Sequence, residues 1–122
     1  MKIIFKTAKA TMEGTFNNSR TAKKIYEKLP LESTVNTWGE EIYFNISVLC
    51  DPEDPTSDVR VGDIAYWPPA QCLCLFFGRT PASTNDQPMP ASEVNLIGKI
   101  TTDPSVFKKI KTGDRITVEV QK

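Results

Sequence analysis

Residues 62–78 read Gly-Asp-Ile-Ala-Tyr-Trp-Pro-Pro-Ala-Gln-Cys-Leu-Cys-Leu-Phe-Phe-Gly, and no other stretch restricts the fold as strongly. Two apolar runs, Ile64 to Trp67 and Cys72 to Phe77, flank Pro68-Pro69-Ala70-Gln71. Aromatic and aliphatic side chains suit a pleated surface, whereas proline has no amide hydrogen to give to a ladder. The pattern therefore predicts strand, turn, strand. Both alternations of each run are apolar, so the pair is expected at the centre of a sheet. One face would lie in a core and the other under a helix or in a lined pocket.

The flanking chain supplies partners for this pair. Lys2 to Lys6 and Lys9 to Phe16 read as short strands, the second alternating Ala10, Met12, Gly14 and Phe16 with polar neighbours. Asn17-Asn18-Ser19 can cap a helix, because a short side-chain oxygen accepts an orphan amide. Ala22, Ile25, Tyr26 and Leu29 then follow helical spacing until Pro30, about three turns. Leu31 to Trp38 is expected to be a strand, with Gly39 as a turn. Glu41 to Val48 alternates Ile42, Phe44, Ile46 and Val48 with polar residues. Residues 50–58 form an acidic, proline-bearing surface loop, and Arg79 to Ser92 a long loop of the kind that often carries function. Val94 to Ile100 is a strand, Asp103-Pro104 opens a short helix, and Arg115 to Val120 is a last strand after Gly113-Asp114. About eight strands joined mostly by short turns, without strand–helix repetition, predict antiparallel pairing. The fold expected over 1–122 is one mainly β domain, a closed eight-stranded antiparallel barrel with a short helix over each mouth.

Charge and cysteine usage narrow the setting. Fifteen basic and fifteen acidic residues cancel, so no positive field argues for nucleic acid or an anionic membrane as partner. No stretch approaches the ~20 apolar residues of a membrane span. Met1 to Lys6 is too short an apolar run for a signal peptide. Three cysteines without framework spacing point to reduced thiols and a cytoplasmic protein.

The absence of histidine removes Ser/His and Cys/His nucleophile pairs and every imidazole metal site. Cys72-x-Cys74 with a distant Cys50 is no zinc spacing, residues 50–58 lack the calcium-loop pattern, and no phosphate-cradling glycine motif occurs. No metal or cofactor is expected. Aromatic rings with a polar handle line binding clefts, which makes Trp38, Tyr43, Tyr66 and Trp67 candidate ligand-binding residues, together with Glu41, Cys72, Cys74, Phe76 and Arg79. Ordinary packing at a barrel mouth is the competing reading for the rings. Glu41, between Trp38 and Tyr43, is a candidate for a raised pKa or an arginine partner, against a plain surface salt bridge.

Three segments carry a family resemblance. Ser19-Arg20-Thr21-Ala22-Lys23-Lys24-Ile25-Tyr26-Glu27-Lys28-Leu29 looks like the first helix of cyclophilins, Cys74-Leu75-Phe76-Phe77 resembles their Phe-Phe-Ile-Cys core strand, and Val94 to Ile100 resembles the strand after their long loop. A tighter similarity is to short prokaryotic cyclophilin-like proteins, through Trp38-Gly39-Glu40-Glu41-Ile42-Tyr43-Phe44, Gly62-Asp63-Ile64-Ala65-Tyr66-Trp67-Pro68 and Leu75-Phe76-Phe77-Gly78-Arg79-Thr80-Pro81. The resemblance covers nearly the whole chain and implies the cyclophilin barrel.

Prolyl isomerases of this fold use an arginine in a Phe-His-Arg-Ile strand. The counterpart here, Ile42 to Ile46, has none, and the family glutamine falls near Cys72. Isomerisation still demands little: a barrier of ~18–20 kcal/mol lowered by desolvation and one hydrogen bond to nitrogen. Arg20, Arg60 or Arg79 could donate it, and Arg79, entering the long loop, is the candidate catalytic residue. A solvated loop cation is the competing reading. The expected function is a binding domain whose aromatic cleft takes a small molecule or an extended peptide. A divergent peptidyl-prolyl cis-trans isomerase is the alternative, and the chain is expected to be a monomer or a homodimer.

Overall fold

The central hairpin forms as its pattern requires, and the remaining strands wrap outward from it. The computed structural model describes residues 1–122. Its elements are β1 (Lys2–Lys6), β2 (Thr11–Phe16), α1 (Arg20–Glu27), β3 (Leu31–Thr34), β4 (Asn36–Thr37), β5 (Glu41–Asn45), β6 (Asp63–Trp67), β7 (Cys72–Phe76), β8 (Asn95–Ile100) and β9 (Arg115–Val120). They pair in the order β3-β9-β1-β2-β8-β6-β7-β5-β4, every pair antiparallel. This is a nearly closed barrel, and no helix is long and apolar enough to cross a membrane.

The barrel has nine strands rather than eight because residues 31–37 are bent. Val35 is fully buried at the break; its amide donates to the Asp114 carbonyl (2.8 Å) and its carbonyl accepts from Gly113 (2.9 Å). Upstream, β3 pairs with β9; downstream, β4 pairs with β5. One run thus supplies both ends of the sheet, and the Ser33 hydroxyl bonds the Asn45 carbonyl across the gap. The close approach of β2 and β8 requires Gly98, where a Cβ would come within 2.0 Å of the Thr15 carbonyl oxygen.

Other boundaries also differ from the sequence expectation. The second strand begins at Thr11, because Thr7 takes the preceding turn by bonding the amides of Lys9 and Ala10. Strand β5 stops at Asn45, although Ile46 and Val48 stay buried; the apolar alternation outlasts the ladder. Helix α1 is shorter than three turns and is capped at Lys28. Residues Pro104–Lys109 form a 3₁₀ turn, with the Asp103 carboxylate accepting from the Ser105 amide (3.0 Å).

Side chains fill the interior. Ile42 and Phe44 of β5, Ile64 and Tyr66 of β6, and Leu73 and Leu75 of β7 join a cluster of 22 buried residues. Ala22 and Ile25 from α1 and Phe107 from the 3₁₀ turn enter the same cluster. Each such large side chain contributes on the order of 1.5–3 kcal/mol by leaving water. The alternate residues of the hairpin face outward. Ala65, Cys74 and Phe76 form a second small cluster with Val59 and Val94.

The acidic loop is more than a solvated excursion. Glu53 accepts the amides of Arg20 (3.1 Å) and Thr21 (2.9 Å) and the Thr21 hydroxyl (2.7 Å), so its carboxylate closes the N-terminus of α1. Asn95 joins in, accepting from the Glu53 amide (2.9 Å) and donating to the Asp51 carbonyl (3.0 Å).

Candidate functional site

On the outer face of the hairpin the register builds a hollow. Cys74 pairs with Tyr43 on one side and Ala65 on the other. Two small side chains thus separate Tyr43 from Trp67, and the space between the rings is left open. The cavity has a volume of about 220 Å³ and is lined by Trp38, Glu41, Tyr43, Trp67 and Cys74, with Pro90, Ala91 and Val94 from the long loop. That is below the ~300 Å³ at which drug-sized pockets begin. It accommodates a ring or a single side chain.

The walls are fixed by short-range geometry. Gly39, at φ +60°, starts the turn between β4 and β5; across it Trp38 and Glu41 exchange backbone hydrogen bonds of 3.0 and 3.2 Å. The Glu40 amide bonds the Arg79 carbonyl (2.7 Å), and the Phe77 amide bonds the Glu40 carbonyl (2.9 Å), so this turn clasps the start of the long loop. Farther along, the Thr80 hydroxyl reaches the Met89 carbonyl and Ser83 reaches the Gln87 carbonyl. Val94 pairs with Thr56 (2.9 and 3.0 Å), and the Trp67 indole N–H donates to the Ser92 hydroxyl at 2.7 Å.

Glu41 is the one ionisable carboxyl in the wall. It is 5% exposed, and burial pushes its pKa up from 4.5 to about 7, opposed by the hydrogen-bonding Cys74 thiol. None of the seven ion pairs includes it. Burial, and next the charge of Glu41, hold the Cys74 thiol well above its ordinary range. That disfavours the thiolate form that a nucleophilic cysteine needs.

Of the residues singled out from sequence, Trp38, Glu41, Tyr43, Trp67 and Cys74 come together around this cavity. Tyr66 points the other way. It is fully buried in the interior, where its hydroxyl donates to the Val48 carbonyl (2.7 Å) and accepts from the Cys50 amide (3.1 Å). Cys72 shares the outward face with Cys74 but lies beyond the cavity wall, its thiol 3.5 Å from the Ala70 carbonyl. Phe76 is buried in the small outer cluster. Arg79 has a side chain 57% exposed and meets only Asp86, at 4.0 Å. Arg20 and Arg60 are likewise exposed, beside Glu53 and Asp58. Pro90 and Ala91 had no signal of their own in the sequence beyond the length of their loop, and Val94 was read only as the start of the strand that follows. No three His, Cys, Asp or Glu side chains converge as metal ligands do.

The chain is thus a filled antiparallel barrel whose cavity lies on its outer wall, beside the long loop. The chain belongs to the Cyclophilin-like family, which it matches over residues 1–119. Among solved structures it is similar to a hypothetical protein from Archaeoglobus fulgidus determined in solution, at 35% identity and a TM-score of 0.83, covering 99% of this chain and 95% of that one. No curated protein matches it.

Proposed function

We propose that this protein is a binding domain that takes a small molecule, or one side chain of an extended peptide, in the cavity between Tyr43 and Trp67. The observation that carries the reading is a contrast: the barrel interior is filled, whereas the outer face is hollow exactly where rigid rings stand around small residues. The three free thiols support a reducing, cytoplasmic setting.

A thermal-shift and ligand-observed NMR screen of small neutral, cationic and anionic fragments tests this. A ligand held at 100 times its Kd stabilises by about 2.7 kcal/mol. At least one class is expected to raise the melting temperature and to lose that effect in Trp67→Ala. If no class does so, the reading is rejected. Isomerisation has less support, because no arginine or lysine lines the cavity to donate to a prolyl nitrogen. A coupled assay on several Xaa-Pro peptides is expected to show no acceleration; a rate lost in Arg79→Ala would favour the divergent isomerase instead.

A further inference from the structure

Charge is distributed in the cavity in one sense only. Three rings, Trp38, Tyr43 and Trp67, stand around a single carboxyl, Glu41, and no cationic side chain lines the wall. None of these rings is paired with another aromatic ring in the structure. Ring faces are negative by their quadrupole, so they and an ionised Glu41 attract the same partner. An anion finds no donor with a full charge there. A neutral apolar ligand would bury Glu41 further and leave it unpaired, which is costly.

We propose that the cavity takes an organic ammonium group, such as an alkylated ammonium head or the amine end of a lysine-like chain. The proposal rests on the binding reading above and names the ligand's chemistry. The small volume suits a head group whose stem leaves through the mouth, rather than a whole drug-sized molecule. Trp67 is already tethered to Ser92 through its indole N–H, so less ordering of that ring remains to be done on binding.

Proton and ligand compete for the carboxyl. The titratable groups facing Glu41 are the thiols of Cys74 and Cys72 on β7 and the phenol of Tyr43 on its own strand. The loop across from it brings Pro90, Ala91 and Val94, which do not titrate. Burial raises both thiols, so they stay neutral when Glu41 ionises. Cation binding should therefore strengthen as the pH rises through the range where Glu41 loses its proton.

The test uses the full chain, with choline and n-butylammonium as probes and their uncharged isosteres 3,3-dimethylbutan-1-ol and 1-butanol as controls, followed by NMR titration. The cations are expected to bind about tenfold more tightly than the isosteres. Lowering the pH from about 8 to about 6 should weaken the cations by up to about tenfold and should not weaken the isosteres. Glu41→Gln should weaken the preference and remove the pH dependence, while Trp67→Phe, which keeps a ring, should retain both. Equal binding of cations and isosteres overturns the ammonium assignment and leaves the binding reading intact. If neither set perturbs the indole resonances of Trp38 and Trp67 while other fragments do, the ammonium assignment again fails alone; if no fragment of any class does, both fail.

Discussion

Trp38 and Glu41 are bonded to each other twice through their backbones, at 3.0 and 3.2 Å, so one turn sets both a ring and the buried carboxyl of the cavity. That turn depends on Gly39. Its φ of +60° is left-handed, and a Cβ there would lie 2.8 Å from the Arg79 carbonyl oxygen and 2.9 Å from the Thr80 Cα, both backbone atoms that cannot swing aside. Gly39→Ala is expected to cost about 2 kcal/mol or more in urea denaturation. It should also move the amide resonances of residues 79–81, because the turn clasps that segment.

Burial of Glu41 has a cost that varies with pH. The carboxyl titrates at the ordinary 4.5 when unfolded and at about 7 when folded, so the folded chain holds the extra proton across that interval. The Glu41 contribution to stability should be greatest below the lower value, fall as pH rises between the two, and level off above the upper one. The decline amounts to about 3 kcal/mol. Glu41→Gln should abolish it, giving a higher melting temperature than the parent at about pH 8 and a similar one at about pH 4.5.

Tyr66 answers two backbone groups in a segment that has left the ladder. Tyr66→Phe would orphan the Val48 carbonyl and the Cys50 amide inside the protein. A loss of about 1–3 kcal/mol is expected by denaturant midpoint. Fragment binding should not change, since the ring faces the opposite side of β6 from the cavity.

Glu53 has the opposite pH sign to Glu41. Its pKa is lowered first by the Thr21 amide and hydroxyl, so its stabilisation is present above the ordinary carboxylate value and is lost as the pH falls through the folded one. Glu53→Ala should destabilise by about 1 kcal/mol near neutrality, the usual worth of an N-terminal anchor, and by much less in acid. Amide exchange in the first turn of α1 should quicken with it.

The barrel was legible because its strands alternate and its turns carry the residues that turns require; residues 62–78 alone announced a central pair. Which face of that pair points inward was not, because both faces are apolar and a slip of one residue exchanges them. Tyr66 and Trp67, neighbours of similar character, end on opposite sides for this reason. A finer signal existed: Ala65 and Cys74 are small where a packed core face would be large. They mark the hollow face, while Leu73 and Leu75 mark the filled one. Two interactions stayed hidden because they join residues remote in the chain. Glu53 meets Thr21 across 32 positions and Trp67 meets Ser92 across 25. The break at Val35 was equally unreadable, since a strand shared by two partners carries the same apolar pattern as one that is not.

Because the bent run at Val35 serves as both margins of the sheet, the outermost ladders are only four and two residues long. An incoming peptide therefore finds no extended rail of vacant amides on which to lie as a tenth strand. A protein partner would have to be held by what it inserts rather than by how its backbone runs, and copies of this chain are likewise kept from stacking edge to edge.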